Sequence, residues 1–441
     1  MRVRFSRLRA GSLLALLGAY VGVALLFAPG SRPVGDEPSF LRLAHALLHG
    51  RYALSSGPDA TLYLWHGPGL PALLSPLVAL HAPLWLLRLL GPALLWAAVV
   101  LFERLLALWV SPRRALIGAL ALGLYAPLAL LAPSLHKEPL ALLLVIGGLY
   151  GATLYARTAS RRSAALGGLA LGGLVLTRLE FGWVLLFALA GSAVWASRRR
   201  QSAAPRRFAA VLAVGLAVCT PWLALTYAKT HRPLYWSTSG GLSLYWMTTA
   251  DRAELGDWHA VHTVFRDGRL ARHRPFFHRL ERLGAPARDA ALQRAATRNI
   301  AAHPVAYVKR LAANSTRLWL GLPYSFSGGL GPAWGLYATF GGALLALLGW
   351  LVIERARGRR RLGRGAGPFA LLGAGALAVH LPVAAEPRML VPVVPIVIWA
   401  AVCSRPVRAA RPAPFAWAAL EREVAVSESE REREREVEAV R

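Results

Sequence analysis

Apolar runs long enough to cross a bilayer recur along this chain, and they restrict its folds more than any other feature. A spanning helix needs roughly 20 apolar residues, with about 17 as the lower limit. Candidate spans fall near 11–29, 84–109, 114–132, 138–156, 162–177, 180–197, 208–228, 333–353, 366–384 and 389–403. Segment 69–82, "GLPALLSPLVALHA", is shorter and carries two prolines, which predicts a re-entrant or interfacial piece. Lipid offers the backbone no hydrogen-bond partners, so such runs are expected to be helices. The reading is an all-α polytopic membrane protein. Hydrophobic residues make up 56% of the chain, which fits that class better than a soluble one. The opening "MRVRFSRLRAGSLLALLGAYVGVALLFAPG" has a basic head and an apolar body longer than a signal core, so it reads as an uncleaved anchor.

Lys and Arg number 51 against 22 Asp and Glu, and only Lys137, Lys229 and Lys309 are lysines. A basic excess can mark nucleic-acid binding. Here the short basic clusters sit between apolar runs, where they orient helices, so no nucleic acid is expected. A cytoplasmic N-terminus gathers most of them on the inner side: Arg2 to Arg9, Arg113 and Arg114, Arg157 to Arg162, Arg198 to Arg207, "RARGRRRLGR" (355–364), and Arg405 onward. The short outer turns then keep only Lys137, Arg178 and Arg388. Both termini are therefore expected in the cytoplasm.

This orientation divides the chain into an N-terminal membrane domain (1–228) with a first outer loop (30–83), and an extracytoplasmic soluble domain (229–332). Membrane helices (333–404) and a charged cytoplasmic tail (405–441) follow. Cys219 and Cys403 both lie in apolar runs and imply neither a disulfide framework nor metal-ligand spacing.

The scarce acids carry more information. Eight glutamates belong to the tail and six acids to the 229–332 loop. Of the rest, Asp36, Glu37, Asp59, Glu138, Glu180 and Glu386 fall on the outer face, and only Glu103 and Glu354 lie toward the inside. After Asp36 and Glu37, apolar residues recur at helical spacing, with Arg42, His45 and His49 on the opposite side. Pro38 suits the first turn and Gly50 the stop, so an amphipathic interfacial helix is expected. The two carboxylates either cap that helix or do chemistry beside it.

"LYLWHGPG" puts His66 where the chain returns to the membrane, a position at which a lone histidine more often hydrogen-bonds than reacts. Three short outer turns pair an acid with a base: Lys137 with Glu138, Arg178 with Glu180, and Arg388 with Glu386. Each alone reads as a solvated salt bridge. Together, ionisable groups at membrane depth point to a site, and arginine forks suit a phosphate. The tripeptide Asn314-Ser315-Thr316 matches a glycosylation sequon, which a bacterial origin would leave silent.

Taken in order over roughly residues 10–405, these features resemble the GT-C-type polytopic glycosyltransferases. The nearest branch is that of the protein O-mannosyltransferases and lipid A aminoarabinose transferases. The resemblance rests on Asp36-Glu37 with its helix, the His66/Pro68 turn, Lys137-Glu138, Arg178-x-Glu180, "RNIAAHPVAYVKRL" and "EPRMLVPVVPI". The chain departs from it in "HGPG" after His66 and in Met389, where relatives often carry an aromatic residue.

The resemblance implies a membrane helix bundle with interfacial helices in the first outer loop and a small soluble domain. It also implies transfer of a sugar, with inversion, from a polyprenyl-phosphate donor to a lipid, glycan or protein acceptor outside a bacterial plasma membrane. Asp36 is the expected base, with Glu37 as its catalytic neighbour. Arg178, Arg388, Lys137 and Arg88 are expected to hold the donor phosphate. His66, Glu138, Glu180 and Glu386 are expected to position substrate. Asp36 and Glu37 could help hold a divalent metal, but no further ligand is evident. Two rival readings use the same residues: a lipid-linked sugar flippase or transporter, and a non-catalytic membrane assembly subunit.

Overall fold

The computed structural model describes residues 2–55, 61–199, 202–249, 251, 253–325, 330–363 and 365–406. Asp59 and most of the charged tail lie outside the described residues. The regular structure of the described chain is helical apart from one two-residue antiparallel pair, Arg360–Arg361 with Arg405–Pro406. Five helices are long and apolar enough to cross a bilayer: Phe5–Leu26, Leu84–Ala107, Glu138–Thr158, Phe181–Arg198 and Trp334–Ala356. A sixth span results if Ala204–Val218 and Thr220–Thr230, bent by 50° at their junction, are taken as one. Only 22% of the apolar window of Phe5–Leu26, and the same share of Trp334–Ala356, is buried inside the protein. Faces this apolar and this uncovered are what a bilayer would cover.

Several expected spans are shorter than their hydropathy suggested. The 114–132 run yields the helix Pro112–Gly123 and a single turn, Ala126–Ala129. Pro127 has no N–H to bond the Gly123 carbonyl and carry the helix across the junction, and Tyr125 there is extended at ψ 94°. The last two runs give Gly367–His380 and Val394–Cys403, again short apolar helices. Gly69–Ala79, from the proline-bearing segment, packs against the helix Glu37–Leu48. That helix starts and stops where the sequence pattern placed it, buries Phe40, Leu43 and Ala44, and leaves Arg42 and His45 exposed.

The main core lies among Leu90–Ala107, Glu138–Thr158, Arg161–Thr177 and Ala204–Val218. A Cβ on Gly151 would stand 2.5 Å from the Gly167 Cα, so glycine on both partners lets Glu138–Thr158 and Arg161–Thr177 meet backbone to backbone. Glu103 and Glu354, the two acids set apart from the others in the sequence, pair with Arg9 and Arg359.

The described part of 229–332 is mostly helical, with the break at His303-Pro304 separating Ala285–Ala302 from Pro304–Leu320. Its helices Gly240–Thr248, Arg274–Glu281 and Ala285–Ala302 share a second, smaller core around Trp246, Phe277 and Leu280. Asn314 of the sequon is fully buried. Its amide donates to the carbonyls of His380 (3.2 Å), Leu381 (2.9 Å) and Val383 (2.8 Å), and its oxygen accepts from Ala385 N (3.1 Å) and Arg317 (3.0 Å). The side chain is a clamp between two segments and does not present itself to a glycosylating enzyme.

Candidate functional site

The sequence-predicted residues converge on helix ends at one cavity. Lys137 and Glu138 begin the helix Glu138–Thr158, Arg178 ends Arg161–Thr177, and Glu180 precedes Phe181–Arg198. His380 closes Gly367–His380, and Glu386 and Arg388 flank the turn Pro387–Leu390. These side chains, with Asp36 and His66, line a cavity of about 490 Å³, a size typical of small-molecule sites. Eight of the ten expected site residues are on its wall.

Glu37 and Arg88 are the two that are not. Glu37 is 1% exposed and accepts from Arg88 Nε (3.0 Å) and Nη2 (2.7 Å) and from the amides of Leu135 (2.8 Å) and Val34 (2.9 Å). Arg88 also donates to the carbonyls of Gly30 (2.5 Å) and Arg32 (3.0 Å). This buried pair ties the chain entering the first loop to Leu84–Arg88. Its geometry gives Glu37 and Arg88 a structural task away from the cavity wall, with four of the five guanidinium donors engaged by the protein itself.

Asp36 occupies the N-cap position but makes no side-chain capping bond. Its half-exposed carboxylate faces His66, whose Nε2 lies 3.7 Å from Oδ1. The imidazole pulls the Asp36 carboxyl down to about 2; burial opposes this, and the charges of Arg388 and Lys137 assist it. Burial pushes His66 below its ordinary 6.5, which Asp36 only partly offsets. At neutral pH the pair is therefore a carboxylate beside a neutral imidazole.

Arg178 is 1% exposed, and its charge is held by carboxylates: Nε donates to Glu180 (2.8 Å) and Nη1 stands 3.9 Å from Glu138. Glu180 also faces His380 at 3.7 Å; burial pushes its carboxyl up, but Arg178, His380 and Lys137 hold it well below the usual carboxylate range. Arg388 donates to Glu386 at 2.6 Å. Burial disfavours the Arg388 cation, and the carboxylates of Glu386, Glu138 and Asp36 outweigh that, so it stays charged. Lys137 shares the wall, and among the described residues no hydrogen bond or ion pair engages its ammonium.

Nine buried side-chain polar atoms lack a hydrogen-bond partner among the described residues. Four of them, His66 Nδ1, Glu138 Oε2, Arg178 Nη1 and Trp236 Nε1, belong to cavity-lining residues. Orphaned polar atoms are costly, and nearly half of them gather on residues around this one cavity. Among the described residues no three His, Cys, Asp or Glu side chains are grouped to hold a metal ion.

Sequence reasoning missed the uncharged part of the wall. Tyr235, Trp236, Ser237, Ser239 and Gln293 supply aromatic faces, hydroxyls and an amide. The stretch "YWSTSGGLS" (235–243) carried the available signal, a run of small hydroxyl residues next to aromatics in a chain otherwise rich in leucine. A Cβ on Gly182 would meet the Trp236 ring at 2.2 Å, so that indole seats only against glycine. His380 was also missed, although a histidine closing an apolar helix fits the rule that intramembrane polar residues mark sites.

No protein-family model matches the sequence, and no curated protein matches it. Fold and site together define a class: a mostly helical protein with five or six helices fit to cross a bilayer, and a charged cavity at the ends of two of them.

Proposed function

We propose that the protein is a membrane glycosyltransferase that moves a sugar from a polyprenyl-phosphate donor to an acceptor hydroxyl. The observation that carries this reading is the composition of the cavity. It joins an Asp36–His66 pair, able to accept a proton, to three cations able to hold a phosphate. Four carboxylates share the cavity with three cations, of which Lys137 alone is unengaged, so little positive charge is left over for a polyanion such as a nucleoside diphosphate. A polyprenyl-phosphate sugar is a phosphodiester with a single negative charge, and it fits. Trp183 also lines the cavity and is 51% exposed on the apolar helix Phe181–Arg198, so the site opens beside a face suited to an isoprenoid chain.

In this mechanism the acceptor oxygen attacks the anomeric carbon as its proton passes to the Asp36–His66 pair. The bond from that carbon to the phosphate oxygen breaks, and the electron pair leaves on the phosphate. Arg178, Lys137 and Arg388 stabilise the charge that grows there. Tyr235, Ser237, Ser239 and Gln293 offer hydrogen-bond partners for sugar hydroxyls. A single displacement of this kind inverts the anomeric centre.

The test uses membranes containing the overproduced protein, which bring their own acceptor, and a radiolabelled polyprenyl-phosphate sugar. Label moves to a new product in these membranes and not in membranes lacking the protein. Equal labelling in both would refute the reading, and donor crossing the bilayer unconsumed would favour a flippase.

A further inference from the structure

Two helices that meet at the cavity, Phe181–Arg198 and Gly367–His380, pack against each other and run to a second cavity at their far ends. At roughly 1.5 Å per residue, the 18 residues of Phe181–Arg198 put that end about 27 Å away, close to the roughly 30 Å of a hydrocarbon core. The second cavity, of about 1010 Å³, therefore opens at the opposite membrane surface. Its wall carries Arg198 and Arg199 from the end of Phe181–Arg198, and Arg355 from the last turn of another apolar helix, Trp334–Ala356. No acid lines it among the described residues. All three arginines are exposed, and among the described residues no hydrogen bond or ion pair engages their guanidinium groups. Other arginines at this end are spent on the protein. Arg157 donates to the Leu108 carbonyl, Arg207 to that of Ala156 (2.7 Å) and Arg360 to the Ser404 hydroxyl (2.9 Å), while Arg359 stands 3.6 Å from Glu354. The rest of the wall is largely apolar, with Trp195, Leu362, Ala366 and Ala370. A Cβ on Gly367 would stand 2.3 Å from the Trp195 ring, so the indole is seated against the start of Gly367–His380. Tryptophan favours the headgroup level of a bilayer, the level at which this cavity opens.

We infer that this second cavity binds an anionic phospholipid of the opposite leaflet, its phosphate held by Arg198, Arg199 and Arg355 and its acyl chains starting along Ala366 and Ala370. Three like charges around one hollow repel each other until an anion joins them, and arginine forks suit a phosphate. Basic pockets between membrane helices take such headgroups. Orienting helices in a bilayer requires basic residues near the span ends; it does not require arginines from two separate connections to line one cavity. A free phosphate would meet the same arginines but leave the apolar part of the wall uncovered, which favours a lipid as the source. The inference does not depend on the sugar-transfer reading. It needs only that these helices cross a bilayer. Bound there, the lipid ties together the ends of Phe181–Arg198, Trp334–Ala356 and Gly367–His380, and the first and last of these carry the functional cavity at their other ends.

The test is native mass spectrometry of the full-length protein in detergent, titrated with phosphatidylglycerol or with phosphatidylcholine. The wild type should hold phosphatidylglycerol more tightly than the zwitterionic lipid. Arg198→Gln, Arg199→Gln and Arg355→Gln should each weaken that binding about fivefold, and the triple variant more. Arg113 and Arg114 are equally exposed at the start of Pro112–Gly123 and do not line this wall, so Arg113→Gln with Arg114→Gln should bind as the wild type does. Excess inorganic phosphate should leave the lipid in place. A second measurement needs no variant: phosphatidylglycerol carrying a photoreactive group beside its phosphate should label wild-type peptides covering 195–202 and 355–370. Binding by the triple variant within about twofold of wild type, or an equal loss in the Arg113/Arg114 variant, overturns the inference. So does labelling confined to other peptides. Displacement of the lipid by inorganic phosphate would make the ligand a free anion and overturn the assignment to phospholipid.

Discussion

Replacing Glu37 with alanine tests whether the buried Glu37–Arg88 pair builds the first loop. Glu37 accepts four hydrogen bonds, two from Arg88 and one each from the amides of Leu135 and Val34. Removing one member of a buried ion pair costs about 3–5 kcal/mol, because the survivor keeps its desolvation penalty. Each abandoned amide adds roughly 1 kcal/mol or more. The expected loss is therefore about 5 kcal/mol or more, large against the stability of a typical fold. Heating detergent-solubilised protein and measuring the monodisperse fraction that survives should show a clear drop.

Sugar transfer should fall as well, although Glu37 is absent from the cavity wall, because Asp36 sits on the same turn. Glu37→Leu combined with Arg88→Leu should recover much of the stability, since neither charge is then buried alone. The pair also has a pH signature. Burial pushes the Glu37 carboxyl up, but Arg88 and the two amides more than offset this, leaving it below its ordinary 4.5. A depressed carboxyl contributes stability that is present above 4.5 and lost as pH falls through the lower folded value. Glu37→Ala should lack that acid-sensitive component. Heat tolerance equal to wild type in Glu37→Ala would refute the structural assignment.

Three further substitutions probe the rest of the architecture. Asn314→Ala removes the clamp on residues 380–385 and should cost about 2–4 kcal/mol; transfer should weaken as Arg388 shifts, and unchanged heat tolerance and activity would contradict this. Gly182→Ala drives a Cβ into the Trp236 ring, so a loss of about 1–3 kcal/mol and a raised KM for donor are expected, checked by unfolding and steady-state kinetics. Arg178→Lys keeps the charge between Glu138 and Glu180 but loses the fork, so the protein should stay folded while polyprenyl-phosphate binding drops about tenfold or more, as read by native mass spectrometry.

How much of this could be read beforehand depends on what kind of information each feature needs. The Glu37–Leu48 helix was legible because its apolar spacing, Pro38 and Gly50 are local signals. The gathering of Asp36, Glu138, Glu180 and Glu386 was legible because acids are scarce and each stands at the edge of an apolar run. Pairing was not. Nothing local tells Glu37 that its partner is Arg88, 51 residues on, or tells His66 that its ring will stand against Asp36. Hydropathy likewise overstated the helix at 114–132, where Pro127 ends a run that composition alone would continue. The neutral wall from Tyr235 to Ser243 was hidden for a different reason: serines and aromatics in a loop have no periodicity to give them away.

The most direct test is a structure of the protein in nanodiscs with polyprenyl monophosphate bound. The phosphate should lie within hydrogen-bond reach of Arg178 Nη1 and the Lys137 ammonium, with Asp36 and His66 facing the space beside it and the isoprenoid leaving past Trp183. A phosphate bound elsewhere on the protein, with this cavity unchanged, would contradict the account.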